Sequence, residues 1–203
     1  MVNTLDLIKR KIKENKFVVF DLDDTLINEK TWLFASYEKI AHFIFPDDES
    51  KKRRAYDFLL KTFENEGRKN IFNKLKEKFP DSFGDIDLWL MVMRQTVVEG
   101  GLPIFDWAVK IISKFPSNCI AILTNGNPFQ QRKKFEQLYP NILVKNLMLI
   151  CANEIEAKPS PKGLFFIGKT FGISMENLLF IGDSKTDEEC AMRAGVDFIK
   201  VEL

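Results

Sequence analysis

Histidine is almost absent from this sequence, cysteine is scarce, and neither sign of charge is in excess. The lone His42 lies in an apolar helical stretch, where a structural role is the ordinary reading. A single histidine also leaves no Ser-His-Asp triad and no histidine nucleophile to consider. The three cysteines, Cys119, Cys151 and Cys190, are widely spaced, form no CxxC pair and lie in or beside apolar segments. They suit buried thiols in a reducing compartment, the cytoplasm, better than disulfides or zinc ligands. With 30 Lys and Arg against 29 Asp and Glu, the net charge of +1 does not build the basic surface that nucleic acid requires. No apolar run approaches the ~18 residues of a membrane span. The charged, amphipathic N-terminus (MVNTLDLIKRKIKENK) reads as a short helix and lacks the apolar stretch of a signal peptide. Monomer and homodimer stay equally open.

What the sequence does contain is a bulky core: 45% of its 203 residues are hydrophobic, 19 of them Phe. Short, continuous apolar runs recur at 17–20 (FVVF), 119–123 (CIAIL), 147–151 (LMLIC), 178–181 (LLFI) and 197–201 (DFIKV). Continuous rather than alternating hydrophobicity is what a parallel sheet covered on both faces demands. Helical stretches at 104–115, 130–138, 161–171 and 186–194 separate most of these runs. Strands alternating with helices imply a doubly wound α/β domain with a parallel, Rossmann-like sheet. The exception is 27–100, where only helical patterning is found (31–45, 53–66, 70–79 and 85–99). An ordinary connection takes about 2–6 residues outside its helix, so this segment reads as an inserted all-helical subdomain. Its return to the core is marked by Gly100, Gly101 and Pro103. The expected organisation is a core of 1–26 and 101–203 with a helical subdomain at 27–100. Lys51, Lys52, Arg53 and Arg54 fit a solvated helix face.

Open parallel sheets bind ligands beyond the carboxyl ends of their strands. Asp21, Asp23 and Thr25 follow the first strand, Thr124 and Asn125 the second. Lys158 lies in the loop after the third, and Asp183 and Asp187 follow the fourth. Carboxylates, hydroxyls and one amine at a shared rim suit phosphoryl transfer. Two carboxylates at i and i+2 of an extended segment point to one side. One can then attack phosphorus while the other handles protons. Mg²⁺ takes carboxylate, phosphate and water oxygens, and Asp21 and Asp183 suit it. Thr124 and Lys158 offer donors and positive charge to the phosphoryl oxygens.

In order along the chain stand VVFDLDDTL at 18–26, ILTNGN at 122–127, EIEAKPSPKG at 154–163 and a G-D-S-x-x-D run at 182–187 leading to AG at 194–195. Four such motifs, each at an expected strand end, closely resemble the haloacid dehalogenase-like superfamily of phosphotransferases. The resemblance implies Asp21 as nucleophile, and Asp23 as the acid that protonates the leaving oxygen and then the base that activates water. It implies Mg²⁺ bound by Asp21, the Asp23 main-chain carbonyl and Asp183, with Asp187 in support. It further implies a phosphate held by Thr124, the Asn125 amide and Lys158, with Thr25 positioning the first loop. The presence of Asp23 speaks against dehalogenation, and the first motif lacks the D-K-T-G-T of the ion-pumping relatives. One branch of the superfamily inserts its helical cap between the first and second motifs. There Trp32, Phe34, Tyr37, Phe43 and Phe45 would line the pocket or, more economically, pack within the cap. That branch includes phosphatases acting on sugar phosphates, nucleoside monophosphates and phosphoglycolate. A small phosphorylated metabolite, a sugar phosphate or nucleotide, is therefore the expected partner.

A competing motif lies at 163–170, where GLFFIGKT satisfies the phosphate-loop pattern. No strand precedes it, and splaying its four bulky apolar residues around a phosphate would expose roughly 6 kcal/mol of burial energy. Leu164, Ile167 and Phe171 form a helical stripe instead, so the match reads as chance. Two other functions compete: a phosphomutase of the same superfamily, and a catalytically silent binding protein on the same fold. Intact reactive positions argue against the silent protein.

Overall fold

The structure, a computed structural model, describes residues 10–11, 17–140 and 147–202. The helix expected at the N-terminus lies outside the described residues, apart from Arg10 and Lys11. The chain divides into two compact units, one of Met1–Glu29 with Gly101–Leu203 and one of Lys30–Gly100.

The first unit is built on β1 (Phe17–Phe20), whose four residues are all buried. β1 lies between β3 (Ile120–Thr124) and β6 (Leu178–Gly182), which are buried along their whole length. β5 (Met148–Cys151) and β7 (Asp197–Lys200) form the edges of this five-stranded parallel sheet, ordered β5-β3-β1-β6-β7. Full burial explains why the three central strands read as unbroken apolar runs. Odd residues of β1, Phe17 and Val19, enter a cluster with Leu164 and Ile167 of α7 (Lys162–Phe171) and Cys190, Ala191 and Ala194 of α8 (Lys185–Ala194). Even residues point the other way, as the pleat requires, and the Phe20 ring lies 6.3 Å from Trp107 in α5 (Asp106–Ile112). The chain steps outward from β1 to β3 and β5, then returns to β6 and β7 on the far side of β1. The topological switch point thus falls at β1, where such sheets bind ligands.

α6 (Pro128–Glu136) follows β3 in this unit. β2 (Leu102–Pro103) and β4 (Leu138–Tyr139) form a separate two-stranded parallel ribbon that the sequence reading did not anticipate, because two residues carry no periodicity. Residues 27–29 belong with this unit: Ile27 bridges Asp23 and Ile104, and Leu26 O accepts from Phe105 N at 2.9 Å.

The second unit is all-helical: α1 (Glu29–Ile44), which starts at the boundary, α2 (Glu49–Glu66), α3 (Ile71–Lys78) and α4 (Ile86–Arg94). Asp48 and Asp85 cap α2 and α4 by accepting main-chain N–H bonds of 2.8 and 2.9 Å. α4 ends at Arg94, short of the 99 expected, because Thr96, Val97 and Val98 are β-branched and poor helix formers. Aromatic side chains pack this unit from within: Phe34 and Tyr37 on Phe63, Phe43 on Phe83, and Phe45 on Phe79. Arg53 and Arg54 are exposed, and Lys51 and Lys52 pair with Asp81 and Glu49, as a solvated face should. His42 is exposed in the last turn of α1. Among the described residues, no helix is long and apolar enough to cross a membrane.

Candidate functional site

Asp21 is the first residue beyond β1, and its N–H donates to Ile181 O of β6 at 2.9 Å. Leu22 is buried in the core, and Asp23 follows it in the loop beyond β1. Thr124 ends β3, Asn125 follows it, and Asp183 follows the end of β6. Because β1 lies between those two strands, their termini flank Asp21.

Lys158 arrives from the loop after β5 and is 6% exposed. Its ammonium donates to Asp21 Oδ1 at 2.6 Å, Asp187 Oδ1 at 2.5 Å and Leu123 O at 3.1 Å. Asn125 clamps the main chain there: its Oδ1 accepts from Lys158 N at 2.8 Å and its Nδ2 donates to Lys158 O at 2.9 Å. The Asn125 side chain is thereby spent on the lysine loop, which leaves its main-chain N–H as the group that could meet a ligand. Asp187 sits in the first turn of α8 and forms a capping box with Ser184, whose Oγ donates to Asp187 Oδ2 at 2.6 Å. Gly182 makes room for it, since a Cβ at that position would come within 2.7 Å of Asp187 Oδ2. Thr25 Oγ1 donates to Asp183 Oδ1 at 3.2 Å and so ties the first loop to the end of β6.

Carboxylate oxygens of Asp21, Asp183 and Asp187 all lie within 4.8 Å of one another. Burial pushes the Asp21 carboxyl up to about 7; Lys158 opposes this, while Asp187 and Asp23 add to it. Burial and the neighbouring Asp187 also raise Asp183. For Lys158, burial favours the neutral amine, but Asp21 and Asp187 outweigh it and hold the ammonium above the ordinary lysine value. Three carboxylates against one ammonium leave an excess of negative charge in a poorly hydrated place. All the donors are hard oxygens, the set that Mg²⁺ and Ca²⁺ take. Lys158 and Ser184 occupy both oxygens of Asp187, whereas among the described residues Asp21 and Asp183 accept side-chain hydrogen bonds at Oδ1 alone. The cluster therefore fits a divalent cation held chiefly by Asp21 and Asp183. The Asp23 carboxylate is not part of it.

Asp23 meets residues that the sequence reading missed. Its Oδ1 accepts from Lys134 Nζ and its Oδ2 from Gln131 Nε2, both at 2.8 Å. Lys134, 0% exposed, also donates to Glu29 Oε1 at 3.2 Å. The Gln131 amide nitrogen lies 2.7 Å from both Thr124 Oγ1 and Asn125 O. Flipping that amide would set its oxygen against a carboxylate and a carbonyl, so the chemistry fixes the orientation shown. Among the described residues Gln131 Oε1 then has no partner, an arrangement that costs about 1–3 kcal/mol. A sequence signal did exist: α6 (PFQQRKKFE) follows a motif directly yet has no apolar stripe, and the residues it buries are Gln131 and Lys134.

The phosphate-loop pattern at 163–170 lies inside α7, where Gly163 and Gly168 are buried contact points. A Cβ on Gly163 would come within 2.6 Å of Leu123 Cδ1, and one on Gly168 would collide with Met175. The match is chance, as its apolar middle indicates. Cys151 and Cys190 are buried free thiols and Cys119 is half-buried. Within the helical unit, Tyr37, Phe72, Leu90 and Met93 line a cavity of about 270 Å³ with Arg68 and Asn73. Of the five aromatic residues singled out in the first helix, Tyr37 alone reaches it.

The sequence profile of the haloacid dehalogenase-like hydrolase family matches residues 18–201. A curated Pseudomonas savastanoi protein named a probable phosphoglycolate phosphatase is 44% identical over 41 residues, 20% of this chain and 26% of that protein. The match thus spans about a quarter of that relative's length. Among solved structures, a HAD-superfamily hydrolase of subfamily IA from Geobacter sulfurreducens superposes with a TM-score of 0.63 at 18% identity, covering 92% of this chain and 86% of that one. A HAD phosphatase from Thermococcus onnurineus gives 0.57 at 17% identity over 92% and 86% of the two chains. At these identities the two structures establish a shared fold.

Proposed function

The chain belongs to the haloacid dehalogenase-like hydrolases, and from that premise we propose that it is a Mg²⁺-dependent phosphatase acting on a small phosphate monoester through an aspartyl-phosphate. The observation that carries this reading is the convergence of Asp21, Asp183, Asp187 and Lys158 at the ends of adjacent strands. Asp21 attacks phosphorus, and Asp23 gives a proton to the leaving oxygen as its bond to phosphorus breaks. Asp23 then takes a proton from water as that water displaces Asp21 and releases phosphate. Lys158, the Thr124 hydroxyl and the Asn125 main-chain N–H receive the phosphoryl oxygens, where charge builds in the transition state. Asp21, Asp183 and the Asp23 main-chain carbonyl would hold Mg²⁺, with Asp187 and Thr25 in support. When bound, the cation screens the anionic phosphate from the anionic nucleophile.

The helical insertion, 27–100 in the sequence reading, serves as a cap that selects substrate. The named relative's phosphoglycolate assignment, though drawn from a short match, supports a small phosphorylated metabolite as substrate. Burial raises the Cys190 thiol to about 11, and raises Cys151 as well. Such thiols are poor nucleophiles, and three free cysteines suit a reducing cytoplasm.

The direct test is hydrolysis of p-nitrophenyl phosphate. Turnover should require Mg²⁺, fall when Ca²⁺ replaces it because its looser and larger coordination disturbs the attack geometry, and vanish in Asp21→Asn. Full turnover in purified Asp21→Asn would overturn the nucleophile assignment.

A further inference from the structure

Two side chains of α6, one helical turn apart, take one oxygen each of the Asp23 carboxylate: Lys134 binds Oδ1 and Gln131 binds Oδ2. Glu29 holds the lysine from the other side, and the Gln131 amide ties Asp23 to Thr124 Oγ1 and Asn125 O at the end of β3. Both helix residues are essentially inaccessible, at 0% and 1% exposure. A helix chosen for stability alone would bury apolar side chains at these positions. Here one holds a buried ammonium, and the other presents its amide nitrogen while its carbonyl oxygen meets no partner among the described residues.

We propose that Lys134 and Gln131 are positioning residues that fix the Asp23 carboxylate, Lys134 by charge and Gln131 by linking it to the strand end that carries Thr124. This rests on the phosphatase reading above. In the first step the Asp23 proton passes to the ester oxygen while the Asp21 oxygen bonds to phosphorus and the ester P–O bond breaks. In the second step water loses a proton to Asp23, bonds to phosphorus and frees Asp21. A carboxylate free to rotate would miss both transfers. Held at both oxygens, it keeps one orientation through them.

The experiment compares Lys134→Met, Gln131→Leu and Lys134→Arg on two esters in Mg²⁺. p-Nitrophenyl phosphate has a leaving group that departs without a proton; a simple alkyl phosphate needs one. For Lys134→Met, kcat/KM on the alkyl ester should fall about 10²-fold, within the range for losing proton transfer. The fall on p-nitrophenyl phosphate should be at least about tenfold smaller, since only its second step needs Asp23. On that ester kcat should drop more than kcat/KM, with a burst of p-nitrophenol as the phosphoenzyme accumulates. Gln131→Leu should show the same pattern more weakly, and Lys134→Arg should restore part of the alkyl activity. Equal losses on both esters, or none, would overturn the positioning role. If Lys134→Met does not fold, Gln131→Leu decides by the same ratio. Wild-type protein without turnover on either ester would instead sink the phosphatase reading, and this assignment with it.

Discussion

Replacing Asp21 by Asn should abolish turnover and yet stabilise the metal-free protein. Most buried carboxylates with a cationic partner are held below their ordinary value. Asp21 is raised, because desolvation and the neighbouring Asp187 and Asp23 exceed what Lys158 returns. Between its ordinary value and about 7, the folded chain binds more protons at this group than the unfolded chain does. Stability from Asp21 is therefore fully present below 3.8 and drains away as pH rises to about 7. At about 1.4 kcal/mol per pH unit, the rise from 3.8 to about 7 corresponds to about 4 kcal/mol. Asn mimics the protonated acid and escapes this loss, although Lys158 then keeps only Asp187 as a charged partner. A net gain of about 2–4 kcal/mol is expected at pH 8, or roughly 4–16 °C in Tm at about 2–4 °C per kcal/mol. Urea and thermal denaturation of both proteins in EDTA, from pH 4 to 8, would measure it. The difference should be near zero at pH 4 and widen towards neutrality. Adding Mg²⁺ at about 100 times its Kd should return about 2.7 kcal/mol to wild type and much less to Asp21→Asn. A pH-independent difference, or a less stable variant at pH 8 without metal, would refute the argument.

Two further substitutions probe the same cluster. Lys158→Met strands Asp21 and Asp187 in a buried place; it should cost about 3–5 kcal/mol at pH 8 and lower kcat/KM by about 10²-fold or more, read by urea denaturation and steady-state kinetics. Gly182→Ala drives a methyl against Asp187; it should destabilise by about 1–3 kcal/mol and raise the Mg²⁺ concentration needed for half-maximal activity. An unchanged Mg²⁺ requirement would detach Asp187 from the cation.

The central strands were readable because burial on both faces leaves no polar positions to break the pattern, as in FVVF and LLFIG. The carboxylates and Lys158 were readable because parallel strands put their ends on one rim, so a motif after each run predicts neighbours in space. The ribbon of Leu102–Pro103 and Leu138–Tyr139 was not, being shorter than any period. Residues 95–99 read as helix on their apolar content, but β-branching prevailed. Lys134 escaped notice for a different reason. It is one of three consecutive basic residues in its helix, and what distinguishes it is a carboxylate 111 positions away. The missing apolar stripe of α6 is a cue that polar side chains are buried there, but the run Arg132-Lys133-Lys134 does not itself show which of them turns inward.

The Ile27–Ile104 bridge and the Leu26–Phe105 hydrogen bond fasten together the two stretches of chain on either side of the helical insertion. The core thus closes its own doorway with its own main chain, and nothing in that closure draws on residues Lys30–Gly100. Such a segment behaves as an exchangeable module. Lengthening or replacing it changes the loop-closure entropy only logarithmically, so the insertion can vary while the strand ends of the core stay as they are.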